Sequence, residues 1–92
     1  MLILMTNSSY NDLKNQKIVE SLLKEMRINS GLRQADVAIA LGVQQSMVSK
    51  YEVGERRLDI LEIRRLCKLF KISLEDFIKL LEMRLKENDE TD

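Results

Sequence analysis

The chain has 92 residues, of which 45% are hydrophobic and 33% charged, with 15 basic and 15 acidic side chains. That length accommodates one compact domain and not two, and a core of that size is marginal by itself, so association with another chain is expected. One Cys and no His argue against a disulfide framework and against a zinc or other metal site. No Pro, only three Gly and an abundance of Leu, Ile, Lys and Glu point to an all-α fold.

Residues 1–11 read as a flexible N-terminal arm, because T-N-S-S-Y-N disfavours regular structure. The opening M-L-I-L-M is apolar but lacks a basic n-region and is too short for a signal peptide or a membrane span. A cytoplasmic location away from the membrane is expected. The arm could pack on a partner, form a short strand or stay disordered. Asn11 or Asp12 can cap a first helix reaching Asn29, with Ile18, Val19, Leu22, Leu23 and Met26 on its core face. Ser30-Gly31 stops it.

The second helix is expected over Gln34–Leu41 and the third over Gln45–Val53. Val37, Ala38 and Leu41 fall at i, i+1 and i+4, which marks one apolar face. Gly42 closes the second helix, since a tight exit often needs positive φ. Val48 and Tyr51 supply the apolar face of the third. Ala38 stands where a larger side chain would push the two helices apart. Two short helices meeting at Gly42 with this spacing describe a helix-turn-helix, a unit that lays its second helix in the DNA major groove.

Gly54 to Leu58 reads as a loop, after which Asp59 caps a fourth helix, Ile60–Phe70, with Ile63, Leu66, Cys67 and Phe70 inward. In that apolar setting Cys67 is a small core residue rather than a reactive thiol. Ser73 caps a fifth helix whose first turn carries Glu75 and Asp76, favoured there by the helix dipole. It extends to Lys86 and completes a domain over 12–86, leaving an acidic tail, residues 87–92. The fifth helix offers Leu74, Phe77, Ile78, Leu80, Leu81, Met83 and Leu85, more apolar surface than its own core requires. Leu80 and Met83 are therefore candidates for a two-fold contact between copies.

Zero net charge counts against nucleic-acid binding, where phosphate neutralisation calls for excess Lys and Arg. The charge is unevenly distributed, however. Residues 1–33 carry five basic and three acidic side chains, 60–72 four and one, and 73–92 three and seven. A basic face can thus coexist with a neutral total, with modest, salt-dependent non-specific affinity.

The run from Gly31 to Phe77, and above all S-M-V-S-K-Y-E-V-G-E-R-R-L-D, resembles the Cro/CI-type (XRE) family of bacterial and phage DNA-binding regulators. Gln34, Ala38, Gly42, Val48, Glu52 and Gly54 carry the likeness. The resemblance implies a five-helix, lambda-repressor-like domain with no cofactor. It places base-reading residues at Gln44, Gln45, Ser46, Ser49 and Lys50, the outer face of the third helix. Gln can pair with adenine N6/N7 and Lys can donate to guanine O6/N7, each worth ~1–3 kcal/mol of discrimination. It implies a backbone-phosphate contact for Gln34, with Arg33 beside it adding charge. It also sets the loop bearing Arg56 and Arg57 against phosphate. Alternatively, these two arginines are a solvated loop or pair with Glu55 or Asp59. Arg64, Arg65 and Lys68 add nearby charge or form a solvent face. An Arg late in the first helix, Arg27, is implied to pair with Glu52 and set the angle of the third helix. The chain departs from the pattern at Gln44, where a hydroxyl residue often caps the helix, and at Leu58, where many members have Pro.

Three functions are weighed. The first is a sequence-specific regulator, most simply a repressor or autoregulator, bound as a homodimer to a palindromic double-stranded operator. The second is an antitoxin that binds a toxin protein and autoregulates its operon. The third, an enzyme, lacks support: no Gly-rich phosphate loop and no organised nucleophile–base pair are present.

Overall fold

A computed structural model describes the backbone of residues 2–91 and the side chains of residues 12–88. Among the described residues there are five helices and no strands: α1 (Leu2–Asn29), α2 (Gln34–Leu41), α3 (Gln45–Glu52), α4 (Ile60–Leu69) and α5 (Leu74–Thr91). Among them no helix is long and apolar enough to cross a membrane.

The interior boundaries fall where the local signals place them. Gly42 adopts φ 68° and closes α2, its N–H returning to the carbonyl of Ile39 while that of Val43 returns to Ala38. Asp59 caps α4 by accepting the N–H of Glu62 at 2.8 Å, and the Glu62 carboxylate accepts the N–H of Asp59 at 2.9 Å. This reciprocal pair satisfies two of the donors a helix start leaves open. The Ser73 hydroxyl caps α5 by accepting the N–H of Asp76 at 3.0 Å. Gln44 precedes α3 without a side-chain cap, the weaker start expected of it.

The two ends differ from expectation. α1 begins at Leu2 rather than near Asn11, so helical backbone covers the segment expected as an arm. No Pro interrupts it, and residues such as Thr, Asn and Ser cost only ~0.7 kcal/mol or less each in a helix. Packing of Met1–Met5 on a partner lies outside the described side chains. α5 likewise continues past Lys86 to Thr91 through most of the expected tail. Nothing in K-E-N-D-E-T breaks a helix, and the unfavourable dipole interaction of exposed acid there is small and screened.

The core is formed by Leu22, Leu23, Val37, Ala38, Val48, Tyr51, Leu66, Cys67, Phe70 and Phe77, with Val19, Met26, Leu41, Ile63, Leu74 and Leu81 packed around it. Every helix contributes, and α2 and α3 pack most closely on each other. Cys67 is buried, and burial pushes its thiol up from the ordinary value. Tyr51 is fully buried, its hydroxyl has no hydrogen-bond partner among the described residues, and burial is the first cause of its strongly raised pKa. On α5 the inward set is Leu74, Phe77 and Leu81, which leaves Ile78, Leu80 and Met83 exposed.

Candidate nucleic-acid interface

The site is built on α3 and on Gln44 just before it, which together present a buried and an outward face. Val48, Tyr51 and Glu52 are buried, whereas Gln44, Gln45, Ser46 and Lys50 are exposed and Ser49 is half-buried. Positions 45, 49, 46 and 50 follow one another around the helix as a continuous arc that starts beside the buried Val48 and ends opposite it. The structure therefore brings the five expected reading residues together on one outward surface.

What holds that surface is a carboxylate at the end of α3. The Glu52 side chain is 1% exposed and the Arg27 side chain 11%. Arg27 Nε donates to Glu52 Oε2 at 2.6 Å and its Nη2 to Oε1 at 3.1 Å, a two-pronged pair. Arg27 Nη1 donates to the carbonyl of Leu32 at 2.8 Å, which ties the α1–α2 turn into the same group. The hydrogen bond to Glu52 raises the guanidinium's pKa, against the opposing effect of burial. The bridge implied by the family pattern is thus present, and it pins α3 to α1.

Gln34 stands at the first position of α2 but is not simply free in solvent. It is half-buried, and its Nε2 donates to Glu52 Oε1 at 3.0 Å. Arg33, just before it, is exposed and engaged with Asp36: its guanidinium makes bonds of 3.1 and 2.9 Å to that carboxylate, which also accepts the Arg33 N–H at 2.8 Å. The side-chain bond to Arg33 is the main reason the Asp36 carboxyl lies below the ordinary carboxylate range. The Arg33 charge is therefore already partnered.

The loop after α3 begins at Gly54, with φ 87°, and carries Arg56 and Arg57. Arg56 Nη2 pairs with Glu62 Oε2 at 3.0 Å, neither of the partners weighed from the sequence. Arg57 is exposed with no ion pair among the described residues. Arg64, Arg65 and Lys68 are all exposed on α4.

Glu20 lies outside every motif of the sequence. This α1 carboxylate is 3% exposed, accepts from Gln16 Nε2 at 3.2 Å, and lies so close to Gly54 that a Cβ there would sit 2.9 Å from Oε1. Its spacing to Gln16 and to buried Leu23 puts it on the inner face of α1, a signal available in the sequence. The Asp59–Glu62 box was also legible as D-x-x-E, but the pairing of Glu62 with Arg56 was not. Glu25 and Arg84, joined at 2.8 Å between α1 and α5, are 59 residues apart and gave no local sign.

Comparison with known proteins places this geometry. The model of a helix-turn-helix family matches residues 23–77. No curated protein matches. Among solved structures, the wild-type restriction-modification controller protein C.Esp1396I is similar with a TM-score of 0.69 and 23% identity, covering 75% of this chain and 91% of that one. A point mutant of the same controller, with Phe in place of a Tyr, gives a TM-score of 0.71 at 22% identity, covering 77% and 90%. A tetramer of that controller in complex with its natural 35-base-pair operator gives 0.69 at 22%, covering 77% and 93%.

Proposed function

The chain belongs to the Cro/CI-type (XRE) family of helix-turn-helix DNA-binding transcriptional regulators, and from that premise we propose that it acts as a repressor or autoregulator, with α3 in the major groove of a two-fold operator. The observation that carries this is the division of α3: an outward face of Gln44, Gln45, Ser46, Ser49 and Lys50 on a helix whose inner face is buried and locked by Arg27 to Glu52.

Gln45, Ser46, Ser49 and Lys50 read base edges, and Gln44 lies where the helix enters the groove. Gln34, Arg57 and Arg56 contact the backbone on either side, with Arg33 contributing least because Asp36 already holds it. Such phosphate contacts set register and orientation, while base contacts set sequence. The role is non-enzymatic and requires no cofactor.

One helix reads only a few base pairs, so two copies are needed on half-sites roughly 34–36 Å apart. Ile78, Leu80 and Met83, the last 58% exposed, form the surface on α5 through which two copies associate. A controller of the same fold forms a tetramer on its operator, which supports self-association as the mode of binding. A dimer that spans a helical turn or more excludes other proteins from that DNA, the basis for assigning repression.

The test is selection of bound duplexes from a random pool by the full chain. An enriched pair of inverted half-sites with centres about 10 base pairs apart is expected. An enriched pool with no common sequence would overturn it.

A further inference from the structure

Glu52 does more than pair with Arg27. Its Oε1 accepts two donors, Arg27 Nη2 at 3.1 Å and Gln34 Nε2 at 3.0 Å, while Oε2 takes Arg27 Nε at 2.6 Å. One carboxylate thereby joins the end of α3 to α1 and to the first residue of α2. An ionised carboxylate can only accept hydrogen bonds. The Gln34 amide can meet it only through its NH2 group, because the flipped amide would set one acceptor against another. The amide that a glutamine normally leaves free to turn is therefore oriented before DNA arrives.

We propose that Glu52 is a positioning residue for DNA binding, which holds Gln34 so that its remaining N–H is presented to the phosphate at the start of α2. The inference rests on the reading of Gln34 as a phosphate anchor. A glutamine that rotated freely would give up its side-chain torsional freedom on meeting the phosphate, whereas a held one has already lost it. The same buried carboxylate sets the angle of the reading helix and the aim of the backbone anchor. Register on the duplex and insertion into the groove are thus coupled through Glu52.

A double-mutant cycle on DNA affinity separates this from a merely structural role. The full chain and the variants Gln34→Met, Glu52→Gln and the pair together are titrated with the selected duplex, after circular dichroism confirms that each is folded. Gln34→Met keeps the length of the side chain and removes its donors. It should weaken binding about tenfold, the loss of one hydrogen bond to a charged group. The amide introduced by Glu52→Gln can donate as well as accept, so Gln34 is free to flip. That change should weaken binding several-fold more in the wild-type background than on top of Gln34→Met, because the loss through the helix angle is common to both and the excess passes through Gln34.

Equal losses in both backgrounds would overturn the positioning role and leave the phosphate contact of Gln34 intact. No loss from Gln34→Met would overturn both. Should Glu52→Gln fail to fold, the side-chain amide of Gln34 in the unaltered protein decides the matter by NMR, its signals being those lost in Gln34→Met. In the DNA-free protein one Nε2 proton should be protected from exchange and displaced from the free-amide position, and the other should shift when the duplex is added. Two Nε2 protons at free-amide positions that exchange readily with solvent would refute the proposal.

Discussion

Replacing Arg27 with Met is the sharpest test of how the reading helix is held. Met retains much of the length of the arginine stem, so packing is largely preserved while three donors disappear: those to Glu52 Oε2 at 2.6 Å, to Glu52 Oε1 at 3.1 Å and to the Leu32 carbonyl at 2.8 Å. Glu52, with a side chain only 1% exposed, then keeps a buried charge with Gln34 as its one remaining donor. Breaking a buried pair in this way costs ~3–5 kcal/mol. The 11% exposure of Arg27 lets some water in, so the lower part of that range, ~3–4 kcal/mol, applies. Against the ~5–15 kcal/mol that holds a domain together, that is a large fraction. At ~4–8 °C per kcal/mol for a chain of this size, it lowers the thermal midpoint by roughly 12–32 °C. Urea unfolding followed by circular dichroism measures it directly. Arg27→Met combined with Glu52→Leu, which removes both charges, should recover most of the loss. A loss of about 1 kcal/mol or less, the range of solvent-exposed pairs, would refute the account of Glu52 as a buried, structure-setting charge.

Three further outcomes follow from the same structure. Gly42→Ala should destabilise by ~1–2 kcal/mol in urea unfolding: its φ is 68° and nothing lies within 4 Å of a Cβ there, so the cost is backbone strain alone. Tyr51→Phe should leave stability unchanged or raise it by about 1 kcal/mol, since it removes a buried hydroxyl without a partner. Asp36 and Glu25 are held below the ordinary carboxylate range by Arg33 and Arg84. Their contribution is complete above the ordinary carboxylate values and is lost as pH falls through the lowered ones. Thermal midpoints recorded from pH 5 to pH 2 should therefore fall less steeply for Asp36→Asn than for the unaltered chain.

The interior helices were legible because their punctuation is local. Gly42, the Asp59–Glu62 pair and Ser73 each act within four residues, and the apolar spacing of Val37, Ala38, Val48 and Tyr51 states which faces meet. The Arg27–Glu52 bridge joins residues 25 apart and was reached through family resemblance, since no periodicity links them. Partner choice was less legible. Arg56 found Glu62 rather than Glu55 or Asp59, because the capping box turns the second carboxylate oxygen of Glu62 toward the loop. Gln34 found Glu52 only because the fold carries the start of α2 to the end of α3. The helix ends misled for the opposite reason: T-N-S-S-Y-N and K-E-N-D-E-T carry weak preferences, and weak preferences do not stop a helix in the absence of Pro or Gly.

The central claim is that the outer face of α3 reads sequence, and the most direct test is to repeat the selection from random duplexes with Gln45→Ala and with Lys50→Ala. Each should relax the preference at a distinct position of both half-sites by ~1–3 kcal/mol of discrimination while leaving the spacing between half-sites unchanged. If both variants select the same sequence as the unaltered chain with the same stringency, α3 does not read the DNA and the assignment is wrong.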